Sequence, residues 1–317
     1  MTYKVYVTDY EYETLEPERR EVETAGAVLL PRQCRNEADV IRECHDADAL
    51  LNQYAPITRH VIESLPQLKV IGRYGVGVNT IDLEAAKAQG VKVVNVPDYC
   101  VEEVSNHALA LILACHQKLN LLNAQVHDGS WDYKMAKPIH RLAEETLGLL
   151  GFGRNARAVA KKAQAFGMRV VAYDPYVSAE MAKNYGVKLW GLEEVLAQAD
   201  VLSVHMPLMK ETEAFIHSKT FAKMKTGVIF INTSRGGLVD EQVLCKALQS
   251  GKVGYAGLDV LAEEPARKGN PLLGFKNVII TPHIAWYSEA SERELKQKVA
   301  RGVADVLMGL VPKYLVA

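Results

Sequence analysis

The sequence predicts an α/β protein with two doubly wound domains, each built on a parallel sheet covered by helices on both faces. Short apolar strand candidates alternate with helix-like stretches from the N-terminus onward, which is the order that a parallel sheet requires. A second series of strands begins after a long helical stretch, and a last helical stretch follows the final strand. We therefore expect a discontinuous first domain at residues 1–98 and 287–317, and a second domain at residues 99–286.

The first series has five strand candidates. They are KVYVTD, AVLL, ADALL, LKVIGR and VKVVNV, and polar-apolar helical stretches lie between them. A long helix is predicted at about residues 101–125, because leucine and isoleucine side chains recur there at helical spacing. This helix would lead into the second domain.

The second series has seven strand candidates. They are TLGLL, RVVAYD, VKLW, DVLSVH, VIFINT, YAGLDV and VIITPH. The final helix, at about residues 289–309, is expected to return to the first domain. No low-complexity linker separates the two series, which favours a hinge over a flexible tether.

The composition of the chain excludes several classes of function. The 317 residues suffice for two cores, and the formal net charge of -1 provides no general attraction to nucleic acid or to a membrane. No apolar run approaches the ~18 residues of a membrane helix. The five cysteines are scattered and never in CxxC spacing, so we expect neither a disulfide framework nor a metal site, and a reducing, cytoplasmic location.

The segment TLGLLGFGRNARAVA predicts a strand, a tight glycine turn and the start of a helix. Gly151, Gly153 and Ala156 complete a G-x-G-x-x-A pattern, which is typical of Rossmann domains that bind a dinucleotide. Gly151 permits the turn, and Gly153 lets the backbone approach a pyrophosphate. Arg154 and Asn155 then present backbone N–H groups at the helix N-terminus, where the helix dipole favours an anion.

Asp174 supplies the second half of this pattern. It ends the next strand, RVVAYD, 21 positions after Gly153, close to the ~20 expected for an acid that binds the adenosine ribose. A carboxylate there would repel a 2′-phosphate, and Pro175 follows where an arginine could have compensated. The sequence therefore predicts NAD rather than NADP as the cofactor.

A second glycine turn, GRYGVGVNTID, lies in the first domain. It lacks the third small residue in register, and no acid ends the next strand, so a second nucleotide site is not expected. A strand-end loop with N–H groups at Val76 and Gly77, together with Arg73, suits a carboxylate instead. A plain turn beside a surface arginine stays the alternative.

Polar residues end four strands of the second domain. They are His205, then Thr233 and Arg235, then Asp259 followed by Glu264, and finally His283. Ligands of open parallel sheets bind beyond the carboxyl ends of the strands. One such residue would be read as structural, but four in succession beside the glycine turn favour a catalytic role for His283 over helix capping.

These residue types fit hydride transfer between a nicotinamide and a 2-oxo acid. The substrate carboxylate and carbonyl need a cation, which an arginine provides as a permanently charged fork. The alkoxide that forms needs an acid, and histidine titrates near working pH. A neighbouring carboxylate would stabilise the imidazolium. From the residues alone, Glu263 and Glu264 are equal candidates for that carboxylate.

The chain resembles the D-isomer-specific 2-hydroxyacid dehydrogenases over nearly its whole length. The resemblance lies in TLGLLGFGRNARAVAKKAQAFGM, VVAYDPY, INTSRGGLVDE, GLDVLAEEP and TPHIAW. It implies a Rossmann NAD-binding domain, a discontinuous flavodoxin-like substrate domain and a homodimer formed through the NAD-binding domains. It also implies that Arg235, Glu264 and His283 are catalytic, and so chooses Glu264 over Glu263.

The same resemblance assigns the binding residues. The dinucleotide contacts would be the turn at residues 151–155, Asp174, His205, Pro207, Thr233 and Asp259, and the substrate carboxylate would bind at Val76 and Gly77. Asn155 stands where the family usually has isoleucine or valine, which is benign at a helix start. PHIAWYSEAS and VEEV resemble the subgroup that includes the C-terminal-binding co-repressors. That subgroup implies substrate contacts by Arg73 and Trp286, and Tyr54 falls in another substrate loop of the family.

The sequence thus predicts an NAD-dependent oxidoreductase that interconverts a small 2-oxo acid and its D-2-hydroxy acid, with glyoxylate or hydroxypyruvate as the expected substrate. Two alternatives stay open. One is an NADH-binding scaffold that resembles the co-repressors. The other is a phosphoglycerate dehydrogenase, although we expect no regulatory domain of the kind that many of those enzymes carry. A formate dehydrogenase is disfavoured, because it would not need the Glu264–His283 pair.

Overall fold

The structure is a computed structural model that describes residues 2–317. The chain forms two compact units, one of Met1–Cys100 with Ser288–Ala317 and the other of Val101–Tyr287. The domain limits expected from the sequence, at residues 98 and 286, lie two residues and one residue before the limits of these units. The final helix belongs to the first unit.

The first unit is built on a five-stranded parallel sheet with the order β2-β1-β3-β4-β5. Its strands are β1 (Tyr3–Val7), β2 (Ala27–Pro31), β3 (Ala49–Asn52), β4 (Val70–Arg73) and β5 (Lys92–Val94). Its helices are α1 (Glu16–Glu23), α2 (Glu37–Glu43), α3 (Arg59–Ser64), α4 (Leu83–Ala88) and α12 (Glu289–Leu307). This is the flavodoxin-like strand order, whose switch point lies between β1 and β3.

The second unit is built on a seven-stranded parallel sheet with the order β12-β11-β10-β9-β6-β7-β8. Its strands are β6 (Thr146–Leu150), β7 (Arg169–Tyr173), β8 (Lys188–Leu189), β9 (Val201–Val204), β10 (Val228–Asn232), β11 (Val253–Leu258) and β12 (Val278–Ile280). Its helices are α5 (Val101–His116), α6 (Leu119–His127), α7 (Arg154–Ala165), α8 (Ala179–Lys183), α9 (Leu192–Gln198), α10 (Ser218–Lys223) and α11 (Glu241–Gln249). This is the Rossmann order with one added strand, and its switch point lies between β6 and β9. The predicted fold class is confirmed.

The single helix expected at residues 101–125 is wrong. Lys118 has φ 56° in the left-handed region, so α5 ends at His116 and α6 begins at Leu119. A right-handed helix cannot pass through such a residue, because the backbone direction changes there. The apolar spacing continues across the break, so the pattern could not reveal it.

The strand interiors are buried because helices cover both faces of each sheet. Every residue of β3, β6 and β9 is buried. Side chains then determine where several helices begin: Asp82, Asp240 and Ser288 accept hydrogen bonds from the first turns of α4, α11 and α12. The rigid sheets thereby present their strand-end loops at defined positions.

Three features are absent from the part of the chain that the structure describes. No helix there is both long enough and apolar enough to span a bilayer. No group of three or more His, Cys, Asp or Glu side chains is placed to hold a metal ion. No disulfide bond joins the cysteines there.

A buried carboxyl group lies between α1 and α12. Glu18 is fully buried and accepts a hydrogen bond of 3.0 Å from the hydroxyl of Tyr74. Burial raises the pKa of Glu18 to about 7, although the charge of Lys296 opposes the rise. Lys296 itself is buried, donates to the carbonyl of Thr14 and lies 4.7 Å from the centre of the Tyr12 ring.

We expect Glu18→Gln to stabilise the first unit at neutral and alkaline pH but not at acidic pH. Between the ordinary pKa of 4.5 and the folded pKa of about 7, folded Glu18 keeps a proton that the unfolded chain has lost. The free energy of unfolding therefore falls by up to roughly 3 kcal/mol as the pH rises from 4.5 to about 7. Glutamine stays neutral, so the melting temperature should rise by several degrees at pH 8 and change little at pH 5. An equal shift at both pH values would contradict this account.

Candidate active site

The glycine turn after β6 packs against the end of β9. Gly151 has φ +89°, and a Cβ atom at this position would lie 2.9 Å from the carbonyl carbon of His205 and 2.9 Å from the nitrogen of Met206. Gly153 is the N-cap of α7, and no side chain caps this helix end in the described structure. A Cβ on Gly153 would meet no other atom within 4 Å. The first turn of α7 thus keeps its N–H groups for an anion.

Asp174 fastens this turn while remaining partly accessible. Its Oδ2 accepts from the N–H of Phe152 at 2.8 Å, and its Oδ1 accepts from the N–H of Tyr176 at 2.8 Å. The backbone of Gly151 also donates to the carbonyl of Tyr173. Asp174 therefore has a structural task in the turn in addition to the ribose contact predicted for it.

Two buried polar atoms next to the switch point lack partners. Within residues 2–317, neither Nδ1 of His205 nor Oγ1 of Thr233 has a hydrogen-bond partner, although both atoms are shielded from solvent. Nε2 of His205 is 2.9 Å from Oγ of Ser203. Pro207 follows in the same loop and is exposed. Unpaired buried polar atoms are costly, so their presence here fits a site that a polar ligand completes.

The structure brings Glu264 and His283 together. Nδ1 of His283 is 2.6 Å from Oε2 of Glu264, and the other oxygen of Glu264 accepts from the N–H of Leu261 at 2.9 Å. The side chains of His283 and Glu264 are 42% and 38% exposed. Glu263 instead pairs with Arg267. The geometry therefore separates the two adjacent acids that the residues alone left equal.

The charges of this cluster determine where its protons lie. Burial raises the pKa of Glu264. The hydrogen bond and charge of His283, the hydrogen bond from the N–H of Leu261 and, least of these, the charge of Arg235 outweigh it, so the pKa lies below its usual range. An ionised carboxylate only accepts hydrogen bonds, so Nδ1 of His283 must donate. Nε2 is the ring nitrogen left for a substrate, and it can donate a proton when the ring is charged.

The second strand-end histidine has the opposite electrostatic character. Burial lowers the pKa of His205 to about 4. His205 is therefore neutral at neutral pH and cannot supply a proton there. Of the two histidines that end strands in this unit, His283 alone has a carboxylate partner for an imidazolium.

Arg235 is held by the backbone around it. Its carbonyl accepts from the side-chain amide of Asn232 at 2.9 Å, and its Nη1 donates to the carbonyl of Ser234 at 2.6 Å. The next residue, Gly236, lies directly against the loop that leads to Glu264: a Cβ on Gly236 would be 1.9 Å from the carbonyl carbon of Leu261 and 2.3 Å from the nitrogen of Ala262. Contact between the two loops therefore depends on a residue without a side chain.

The loop that carries His283 is organised by Asp259, which is 1% exposed. The carboxylate accepts from the hydroxyl of Thr281 at 2.6 Å and from the N–H groups of Ile284 and Ala285 at 2.9 Å each. The Asp259 carbonyl also accepts from the N–H of His283 at 2.9 Å. Sequence reasoning assigned Asp259 to the dinucleotide and overlooked this structural task.

In the first unit, Arg73 lies over Gly75. A Cβ on Gly75, which has φ +128°, would be 2.5 Å from Nη1 of Arg73. The carbonyl of Val76 accepts from the side chain of Asn95 at 2.7 Å. Within residues 2–317, the N–H groups of Val76 and Gly77 have no hydrogen-bond acceptor. A guanidinium and two backbone donors thus lie in one loop, as a carboxylate site needs.

Tyr54 lies at the switch point of the first sheet and is 58% exposed. The buried carboxylate of Asp9 holds its loop by accepting from the N–H groups of Gln53, Tyr54 and Ala55 at 3.4, 2.6 and 3.1 Å. In the second unit, Trp286 is partly buried and contacts Tyr287 edge-on, with ring centres 5.5 Å apart.

A known sequence family matches most of the second unit. A sequence model described as "D-isomer specific 2-hydroxyacid dehydrogenase, NAD binding domain" matches residues 109–285. The chain belongs to this family. The resemblance proposed from the sequence is thereby confirmed.

Relatives of this dehydrogenase extend the match to most of the chain. It is 39% identical to a hydroxypyruvate reductase of Blautia hydrogenotrophica over 86% of this chain and 85% of the relative. It is 40% identical to a D-3-phosphoglycerate dehydrogenase of Archaeoglobus fulgidus over 86% of this chain, but that match spans only 52% of the relative. A D-lactate dehydrogenase structure from Aquifex aeolicus, with NAD and lactic acid, matches with a TM-score of 0.89 and 30% identity over 98% of each chain.

Membership in this family makes the chain an NAD-dependent oxidoreductase, so the predicted enzyme class and cofactor are confirmed. The residues of the turn fit that cofactor. Gly151 lets the turn pack against the end of β9, Gly153 leaves the backbone open, α7 offers unpaired N–H groups, and His205 and Thr233 carry buried atoms without partners.

Proposed function

We propose that this enzyme reduces a small 2-oxo acid to its D-2-hydroxy acid, and catalyses the reverse oxidation, with His283 as the acid/base. The observation that carries this proposal is the 2.6 Å contact between His283 and Glu264, with Arg235 near enough to lower the pKa of Glu264. NADH, when bound, supplies a hydride to the carbonyl carbon. An acid, its tuning carboxylate and a permanent cation are the groups that such a reaction needs from the protein.

Each of the three residues has a separate task in this proposal. Nε2 of His283 gives its proton to the carbonyl oxygen as the hydride arrives, so 2-oxo acid, NADH and one proton yield 2-hydroxy acid and NAD⁺. Glu264 accepts from Nδ1, which orients the ring and stabilises its charged form. The guanidinium of Arg235 binds the substrate carboxylate and carbonyl oxygens as a fork.

We propose that Trp286 is a further substrate contact in the second unit. Within the first unit, we propose that Arg73, Val76, Gly77 and Tyr54 bind a carboxylate. Support comes from the uncapped N–H groups of the Val76–Gly77 loop, the guanidinium over Gly75 and the exposure of Tyr54. Small polar substrates such as hydroxypyruvate and glyoxylate are favoured, because the relative from Blautia is named as a hydroxypyruvate reductase.

A substrate panel tests the proposed activity. NADH absorbance is followed with hydroxypyruvate, glyoxylate, pyruvate and 3-phosphohydroxypyruvate, and we expect the first two to give the highest kcat/KM. Turnover of 3-phosphohydroxypyruvate tests the alternative activity, that of a phosphoglycerate dehydrogenase, for which the Archaeoglobus relative is named. If tight NADH binding is observed with no turnover of any 2-oxo acid, the chain is a scaffold rather than an enzyme of this reaction.

Asp174 is proposed to bind the adenosine ribose. We expect Asp174→Asn to weaken NADH roughly tenfold, since a charged hydrogen bond is lost, and to leave NADPH binding no weaker, since repulsion of the 2′-phosphate is lost as well. Asparagine retains an oxygen for the N–H of Phe152 but loses the acceptor for the N–H of Tyr176, so the bond that joins Asp174 to the glycine turn is kept. Fluorescence titrations give the dissociation constants of NADH and NADPH, and the comparison of the two tests the ribose contact. An equal loss for both would show that Asp174 acts on the turn alone.

We also propose a homodimer formed through the second unit, along an exposed apolar surface at residues 119–139. Helix α6 has no buried residue, and large apolar side chains on and after it are exposed. They are Leu119, Val126, Trp131, Tyr133, Met135 and Ile139, of which Trp131 is 89% exposed. Such patches are uncommon on the free surface of a monomer.

The molecular mass in solution tests whether the surface at residues 119–139 forms a dimer interface. Light scattering after gel filtration should give twice the chain mass of 35.1 kDa, and Trp131→Glu should shift the protein to the single-chain mass. Val311→Glu is the matched control, because Val311 is equally exposed at 88% but belongs to the first unit. A monomeric wild type, or a dimer that Trp131→Glu leaves intact, would exclude this interface.

A further inference from the structure

His107 on α5 contacts the loop that carries His283 from behind. Its Nε2 is 2.9 Å from Oγ1 of Thr281, and it is 3.6 Å from Oδ1 of Asp259. The Thr281 hydroxyl lies 2.6 Å from the same Oδ1. His107 is partly buried, and neither composition nor spacing singled it out in the sequence.

The hydrogen-bond donors and acceptors among His107, Thr281 and Asp259 can be assigned in only one way. The Asp259 carboxylate accepts from three donors, one of which is the Thr281 hydroxyl. Because that hydroxyl gives its only hydrogen to Asp259, it must accept from Nε2–H of His107. The chain of bonds is therefore His107 to Thr281 to Asp259, and hydrogen bonds in such a series strengthen one another.

Asp259 in turn holds the backbone of His283 and of the two residues that follow it. Its carbonyl accepts from the N–H of His283 at 2.9 Å, and its carboxylate accepts from the next two N–H groups, those of Ile284 and Ala285. His283 itself has φ 51°. This left-handed conformation is uncommon for residues other than glycine, although histidine adopts it more often than most, and it costs free energy that the surroundings must offset.

We propose that His107 is a positioning residue for His283: acting through Thr281 and Asp259, it maintains the left-handed turn that keeps Nδ1 of His283 on Glu264. This inference rests on the proposed role of His283 as proton donor. His107 does not touch the reacting atoms. Its contribution is to stabilise one conformation of the loop, so that the imidazole does not lose its partner between turnovers.

Thr281→Val tests the inference with minimal change of shape, because valine replaces only the hydroxyl by a methyl group. We expect kcat to fall at least tenfold while the dissociation constant of NADH changes less than twofold. Thr281→Ser restores the hydroxyl and should recover most of kcat. At the other end of the chain of bonds, His107→Leu should lower kcat by a similar factor, and His107→Gln, which can still donate to Thr281, should recover much of it.

The double variant His107→Leu/Thr281→Val shows whether the two residues act together. If they do, its kcat is close to that of Thr281→Val alone, because one broken link already removes the effect. Multiplicative losses, or losses of kcat that follow NADH affinity in parallel, would overturn the inference in favour of ordinary packing. If His107→Leu does not fold, the comparison of Thr281→Val with Thr281→Ser decides.

The His283→Ala variant separates failure of this inference from failure of the proposed function. If His283→Ala still turns over 2-oxo acids at the wild-type rate, the proton-donor role itself is wrong. If His283→Ala is inactive while Thr281→Val and His107→Leu are as fast as wild type, the role of His283 stands and only the positioning role of His107 is excluded.

Discussion

Replacing His283 by alanine should lower kcat for 2-oxo acid reduction about a thousandfold, within the range that a positioned general acid contributes. The physical reason is that Nε2 of His283 is the only proton source in the proposed arrangement, and Nδ1 is already committed to Glu264 at 2.6 Å. NADH affinity should stay nearly unchanged, because the glycine turn and Asp174 lie on other strands. Steady-state NADH oxidation and nucleotide fluorescence measure the two quantities.

His283→Asn is the matched companion to the alanine variant. His283 adopts φ 51°, and asparagine tolerates the left-handed region better than most residues. Asparagine therefore removes the titratable ring while preserving the turn. His283→Ala and His283→Asn should show the same decrease in kcat for 2-oxo acid reduction. If alanine abolishes NADH binding while asparagine retains both binding and turnover, His283 is a structural residue of the loop.

Gly236→Ala should inactivate the enzyme and lower its melting temperature, although it adds only one methyl group. The added Cβ would lie 1.9 Å from the carbonyl carbon of Leu261, and backbone atoms cannot move aside as a side chain can. The loop after Arg235 and the loop before Glu264 would have to separate. We expect kcat/KM to fall more than a hundredfold, with a destabilisation of several kcal/mol as for severe overpacking.

The neighbouring glycine provides the control for this prediction. A Cβ on Gly237 would meet only the end of the Leu208 side chain, at 3.1 Å, which can rotate away. Gly237→Ala should therefore retain most of the activity and a melting temperature within a few degrees of wild type. Similar behaviour of the two alanine variants would show that the approach of the two loops is not what makes Gly236 necessary.

Local patterns were sufficient to predict the fold and the cofactor. Each strand candidate became a strand, and central strands such as β6, which are buried on both faces, show the nearly continuous apolar run that a parallel sheet requires. NAD followed from one glycine turn and one acid, since both lie in a single strand-turn-helix-strand unit whose spacing the sequence displays. The break at Lys118 was not predictable, because the apolar spacing of α5 and α6 runs on through it.

The sequence by itself determined which residue types end the strands, and therefore that an arginine, an acid and a histidine would lie at one edge of a parallel sheet. Only the tertiary structure decided their partners. In the folded chain His283 contacts Glu264, and Glu263 contacts Arg267. Thr281 contacts Asp259, 22 positions away in the sequence, and His107, 174 positions away. The reason is physical: periodicity reports which side of an element faces the core, whereas hydrogen bonds between loops depend on distances and directions that only the folded backbone provides.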